Sequence, residues 1–300
     1  MNHRYIVGVG VCLLFVLLAG CSSPAGSIDM APVSNQELTD LASRSIANDE
    51  HRFPDKSYIL NNAIPNGSVT ITGTNPPIRR GLPFHHNNSF YNISYTVINQ
   101  TTGTAVDIEI DYNATNVSGT TIAFKELPPV DKAVIRDLFP PRREKLTKGV
   151  DFGVGVVYTD SERSQSILLS KNEIVLRYQG EKYQLVVGDS ESVTIYTYRY
   201  TATKVANSVN EYASHLKNKY LFTLSNLSKA EKSVINKAID GGYRAEDTND
   251  TAFKSVLSIF QQHKAVTRTE TSGKWIVRYQ GDVYWVDLYI GEFAESESET

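Results

Sequence analysis

The side chains of this chain that could do covalent or metal chemistry are few and scattered. Cys12 and Cys21 are its only thiols. Ser190 ends the run Leu185-Val186-Val187-Gly188-Asp189-Ser190, in which a strand-like stretch delivers a serine to a tight polar turn. Such a hydroxyl attacks a carbonyl only when a neighbouring base takes its proton. A metal site would have to start from His85-His86, because His51, His215 and His263 stand alone. Adjacent residues point in opposite directions along a strand, so this pair is a poor grip for one ion, and no metal or other cofactor is expected. Gly149, Gly153 and Gly155 echo a phosphate loop without the Gly-Lys-Ser/Thr block and helix that would cradle a phosphate. Among 17 tyrosines, Tyr196, Tyr198 and Tyr200 share one face of a predicted strand, opposite Ile195, Thr197 and Arg199. Exposed, that row would stack on a sugar or a partner protein; buried, it would be core with its hydroxyls satisfied.

The cysteines settle more than the other candidates. Asn2-His3-Arg4 gives a positive start, and Tyr5 to Leu18 is apolar and too short for a comfortable bilayer span. It has the form of a secretory signal. Leu18-Ala19-Gly20-Cys21 follows directly and resembles the lipobox of prokaryotic lipoproteins. That resemblance implies cleavage after residue 20, a lipid on Cys21, and a location on the outer face of the cytoplasmic membrane. Cys12 then leaves with the signal and Cys21 is consumed, so the mature body holds no thiol and no disulfide. The Gly-Asp-Ser block superficially resembles that of the lipases and esterases named for it. Their pattern implies a helix after the serine and an Asp-x-x-His later on. Here Ser192 to Thr203 reads as strand, and no His has an Asp three residues before it.

Elements that must position these residues are legible from patterning. Residues 1–20 form the signal, and 21–52 read as a tether with a short helix begun by Ser34 and Glu37 and running to about Asn48. Phe90 to Ile98 and Ala105 to Tyr112, separated by Gly103, read as a β-hairpin. Leu127 to Ile135 aligns with Leu227 to Ile235 at an offset of 100, and Ile174 to Tyr183 with Trp275 to Tyr284 at an offset of 101. Two ordered blocks at nearly one spacing predict an α+β fold of two tandem copies of an antiparallel-sheet-plus-helix unit, 53–190 and 191–293, before an acidic tail at 294–300. Helices are predicted from Asn207 to Lys219, behind Ser228, and behind Asp250, where Phe253, Val256, Leu257 and Phe260 keep helical spacing. Val154 to Tyr158 and Ile167 to Leu169 read as strands.

Asn-x-Ser/Thr triplets occur at Asn66, Asn87, Asn92, Asn99, Asn113, Asn116, Asn226 and Asn249, where 20 Asn and 51 Ser and Thr in 300 residues would give about three by chance. Either Asn- and Thr-rich turns generate them, or they carry glycans. The balance of 30 Lys and Arg against 33 Asp and Glu excludes the basic domain of a nucleic-acid binder. The lipobox, the triplets, and the blocks Tyr196 to Ala202 and Tyr220 to Ser225 look like surface lipoproteins of haloarchaea, in which no motif carries a known activity. The expectation is a non-catalytic, lipid-anchored envelope protein that touches the membrane through Cys21 and binds a protein or glycan partner or stabilises the surface. The alternatives are a substrate-binding lipoprotein of a transporter, built as doubly wound lobes around a cleft, and a secreted hydrolase using Ser190.

Overall fold

The computed structural model describes residues 24–45, 54–112, 114–136 and 152–297. They form two units: residues up to Ala42 together with those from Val209 onward, and Ser43–Ser208. The first unit begins with β1 (Gly26–Pro32) and α1 (Asn35–Leu41). The second holds β2 (Arg44–Ser45), α2 (Pro54–Asn66), β3 (Ser68–Gly73), β4 (Phe84–His86), β5 (Ser89–Asp111), β6 (Thr120–Ala123) and α3 (Pro129–Ile135). It continues through β7 (Phe152–Thr159), α4 (Asp160–Arg163), β8 (Glu173–Tyr178), β9 (Glu181–Val187) and β10 (Glu191–Ala206). The chain then returns to the first unit with α5 (Val209–Tyr220), β11 (Leu221–Thr223), α6 (Lys229–Ile239), β12 (Tyr243–Ala245) and α7 (Thr251–Gln261). β13 (Thr267–Arg268), β14 (Ser272–Tyr279) and β15 (Asp282–Tyr289) complete it. The α+β class is as expected.

In the first unit the strands lie in the order β11-β14-β15-β1-β12. Ser228 and Glu231 close a capping box on α6, and the Asp250 carboxylate accepts from the Phe253 N–H to start α7, so both helices begin where the sequence places them. Their apolar faces cover the sheet: Val234, Ile235, Phe253 and Phe260 pack with Ile28, Met30, Trp275, Val277, Val286 and Leu288 in one core. Burying a side chain such as Phe253 contributes about 1.5–3 kcal/mol over leaving it in water. On the solvent side Asp29 faces Asp287 across the β1–β15 ladder. Each carboxylate has its own cation, Arg244 at 3.0 Å for Asp29 and Lys274 for Asp287, which relieves the like-charge rung.

The second unit contains a five-strand array of the same form, β6-β8-β9-β5-β7. In both arrays the first pairing is parallel and the rest are antiparallel. Register agrees as well: Thr223 sits opposite Arg278 and Ala123 opposite Arg177, while Ile28 faces Leu288 and Tyr243 as Ile108 faces Val187 and Val154. Both hairpins turn through Gln-Gly with positive φ at each position, 49° and 93° for Gln179 and Gly180, 52° and 99° for Gln280 and Gly281. This is the type I′ turn that suits twisted strands.

Several expectations are corrected. The arrays are not tandem, because the first unit takes an inner strand from residues 26–32, ahead of the whole second unit. Within the expected tether of 21–52, residues 26–32 are instead the strand β1, and α1 stops at Leu41. A boundary at 190/191 fails because β10 pairs with β5 from Glu191 to Ala206. The predicted hairpin at Gly103 is one strand of 23 residues. Gly103 is needed there for closeness, since a Cβ would lie 2.3 Å from the Ile195 side chain and 2.9 Å from the Tyr158 carbonyl oxygen. Leu168–Ser170 is a 3-10 turn rather than strand. Residues 46–53, where the first helix was expected to end, lie outside the described residues.

Both tryptophans of the chain, Trp275 and Trp285, belong to the first unit. Their emission therefore reports its unfolding. Truncating fully buried Ile28 to Ala should lower the urea stability of that transition by about 2–5 kcal/mol, although the tryptophans lie some 250 residues away in sequence. In the same unit Tyr243 donates to Asp250 Oδ2 at 2.6 Å. That bond, with burial and the carboxylate's charge added, pushes the phenol up to about 12. The unfolded phenol ionises near its ordinary value of about 10, so its contribution is complete below that pH and is lost as the pH rises through 12. Urea midpoints read from tryptophan emission should hold to about pH 9.5 and then fall, less steeply in Tyr243→Phe.

Candidate functional site

The tyrosine row is set by β10, whose alternation puts Tyr196, Tyr198 and Tyr200 on the face turned to α2. Tyr198 and Tyr200 are buried with Ile59, Leu60, Ile78, Phe84 and Ile93, and Tyr196 is half-buried at the edge of this cluster. The Tyr200 hydroxyl donates to the Ile78 carbonyl at 3.1 Å and accepts from the Ile78 N–H at 3.2 Å. Tyr95 meets Tyr198 edge-on at 5.4 Å. Burial is the leading cause that raises the titration of both Tyr198 and Tyr200. The row is thus core, and a binding surface made of all three tyrosines is corrected. The opposite face is polar: Thr197, Arg199 and Thr201 lie between Asn99, Thr96 and Ser94 of β5 and Thr72, Thr70 and Ser68 of β3.

Ser190 is exposed but does not sit on a strand-to-helix elbow. β9 and β10 run one after the other along the same partner: Val187 faces Ile108, the Gly188 N–H donates to the Asp107 carbonyl at 2.8 Å, and Glu191 faces Ala105. Three residues, 188–190, thus stand opposite two, 106 and 107, so Gly-Asp-Ser is a bulge in one continued ladder and not a turn between two copies. Among the described residues no histidine is hydrogen-bonded to Ser190. His85 stacks on Phe90 at 4.5 Å, while His86 lies against Asn87, with its Nε2 3.1 Å from the Asn87 amide. No group of three His, Cys, Asp or Glu that could hold a metal occurs among the described residues. Of the three glycines that echo a phosphate loop, Gly153 and Gly155 lie within β7 and Gly149 is outside the described residues.

The two Arg-Tyr-Gln-Gly turns share geometry but not surroundings. Tyr279 is buried, its hydroxyl donating to Asn236 Oδ1 at 3.3 Å. Tyr178 is half-buried and meets Phe124 edge-on at 5.1 Å beside a groove of about 390 Å³ lined also by Lys125 and Arg177.

One feature of this body escaped the sequence reading. Asp131 is fully buried and accepts four hydrogen bonds: from the Tyr158 hydroxyl (3.1 Å), the Ser166 hydroxyl (2.6 Å), and the Ile167 (2.8 Å) and Leu168 (3.2 Å) N–H groups. Burial first, then the Asp131 charge, pushes the Tyr158 phenol well above its usual range. The carboxylate fixes α3 to the turn at 168–170. Its counterpart in the aligned block, Glu231, bonds within its own helix start, so the alignment gave no sign of the difference.

Seven of the eight triplet asparagines lie in the described residues, and all seven are exposed: Asn66, Asn87, Asn92, Asn99, Asn116, Asn226 and Asn249. Asn113 lies outside them, as do Cys21 and the signal. Among the described residues no helix is long and apolar enough to cross a membrane. Comparison with family models, curated proteins and solved structures found no match to this chain.

Replacing Asp131 by Ala would leave four donors facing a dry gap. A loss of about 2–5 kcal/mol is expected in the second unit's urea transition, followed by far-UV circular dichroism, with the tryptophan-reported transition unchanged.

Proposed function

We propose that this chain is a lipid-anchored extracytoplasmic surface protein whose body is a non-catalytic scaffold. One observation carries the reading: Leu18-Ala19-Gly20-Cys21 stands directly between an apolar signal-like run and the first residues of the folded body, where a lipidated cysteine would have to stand. The rest of the chain agrees with that compartment. Its body has no thiol, and its Asn-x-Ser/Thr asparagines are open to solvent wherever they are described.

The transporter reading predicts parallel, doubly wound lobes. Here each sheet is mainly antiparallel, with parallel pairing at only β11–β14, β6–β8 and β2–β4 among the described strands. Ser190 on a bulge likewise gives the hydrolase reading little support.

Detergent-phase partitioning of the chain made in a lipoprotein-processing host tests the anchor. Wild type should enter the detergent phase and Cys21→Ser the aqueous phase; equal partitioning would sink the reading. Made in a host that glycosylates such triplets, the protein should gain mass in hexose-sized steps that disappear when the exposed asparagines are changed to Gln, whereas an unmodified mass would leave the triplets as turn chemistry alone.

A further inference from the structure

We infer that one end of the first unit, the end built by Gly26, Ala245, Ser272 and Tyr289, is held against the lipid surface by a tether of only a few residues. The inference rests on the lipid anchor proposed above and adds an orientation to it.

The folded body begins at once. Ala25 is buried, and its carbonyl accepts from the Glu292 N–H at 2.9 Å. Gly26 is packed so closely that a Cβ would lie 2.6 Å from the Phe253 ring. From there β1 runs inside the sheet, between β15 and β12. Four Cα steps separate Cys21 from Ala25, so the buried residue lies within about 14 Å of the lipidated one whatever path the chain takes.

The direction of β1 then decides which end faces the bilayer. Gly26 pairs with Ala245, Ser27 with Tyr289, and Tyr289 with Ser272, so these residues mark the near end. Pro32 pairs with Tyr284, and the Gln280-Gly281 turn lies beyond it, at the far end. Tyr289 is 41% exposed, the kind of amphipathic ring that sits well among lipid headgroups. β15 is its own ruler, since seven steps from Asp282 to Tyr289 span about 24 Å.

The thiol-free body makes the test direct. Tyr289→Cys and Asp282→Cys, each at an exposed position and each in the processed lipoprotein, are labelled with one fluorophore. Both are reconstituted into phosphatidylcholine vesicles containing a headgroup-nitroxide lipid. The label at 289 should be quenched at least about twofold more than that at 282, because the strand's length exceeds the quencher's reach. Ten Gly and Ser residues inserted between Ser23 and Pro24 add roughly 17 Å of flexible reach and should bring the two labels level. Equal quenching without the insert, stronger quenching at 282, or no response to the insert would overturn the orientation while leaving the anchor intact. Vesicle association of the Cys21→Ser chain equal to wild type would remove the anchor, and this inference with it.

Discussion

The first unit depends on hydrogen bonding along β1. Seven residues from the N-terminal side of the chain lie between β12 and β15, both contributed from beyond residue 240. A strand in that place satisfies backbone groups on both edges and supplies Ile28 and Met30 to the core beneath. Without it, the β15 edge facing it would be unpaired and a row of apolar side chains would face water. Closing a loop of more than two hundred residues, from Pro32 to Tyr243, costs little more than closing one of fifty, because the entropy grows only with the logarithm of length. The long excursion through the second unit is therefore no obstacle to the pairing.

The second unit solves a similar problem with one long strand. β5 is flanked on one edge by β9 and then β10, and on the other by β4 and then β7. One strand of 23 residues thus serves both the five-strand array and the tyrosine-rich ribbon. Such length needs adjustments. Gly103 admits Ile195 where a side chain would collide, and a register shift falls between Thr197 and Tyr198, where the ladder passes from the polar ribbon toward the array. Asp131 then ties the covering helix α3 to the loop before β8 from inside.

Local chemistry explains what could be read in advance. The Ser228-Glu231 box and the Asp250 cap are decided by neighbours within four residues, and the helices behind them start as the sequence indicates. The aligned blocks also pointed to real counterparts, since their strands occupy equivalent places in two arrays of one order and register. Placement of partners distant in sequence was not legible. Residues 26–32 have the composition of a tether, and nothing local says that Tyr243–Ala245 will pair with them. Gly103 between two alternating runs looks like a turn, because a glycine that opens a turn and one that admits a neighbour are the same letter. Tyr196, Tyr198 and Tyr200 were correctly placed on one face, but which face met α2 depended on a helix whose apolar pattern is weak. Asp131 gave no sign at all, since its four donors come from residues 27 to 37 positions later.

Where the perturbed groups lie bears on what the body does. A catalytic centre shows as titratable groups whose surroundings shift them in a cleft that substrate can enter. Among the described residues the strongly shifted groups are tyrosines raised chiefly by burial, as Tyr158 and Tyr212 are, or by a cap's carboxylate, as Tyr243 is. The carboxylate most deeply buried among the described residues, Asp131, spends its two oxygens on four donors from β7 and the loop before β8. Electrostatics spent in this way hold α3 and the start of α7 in place. The triplet asparagines among the described residues stand in solvent at the end of α2, on turns and on the polar face of β5. That distribution supports the scaffold proposed above.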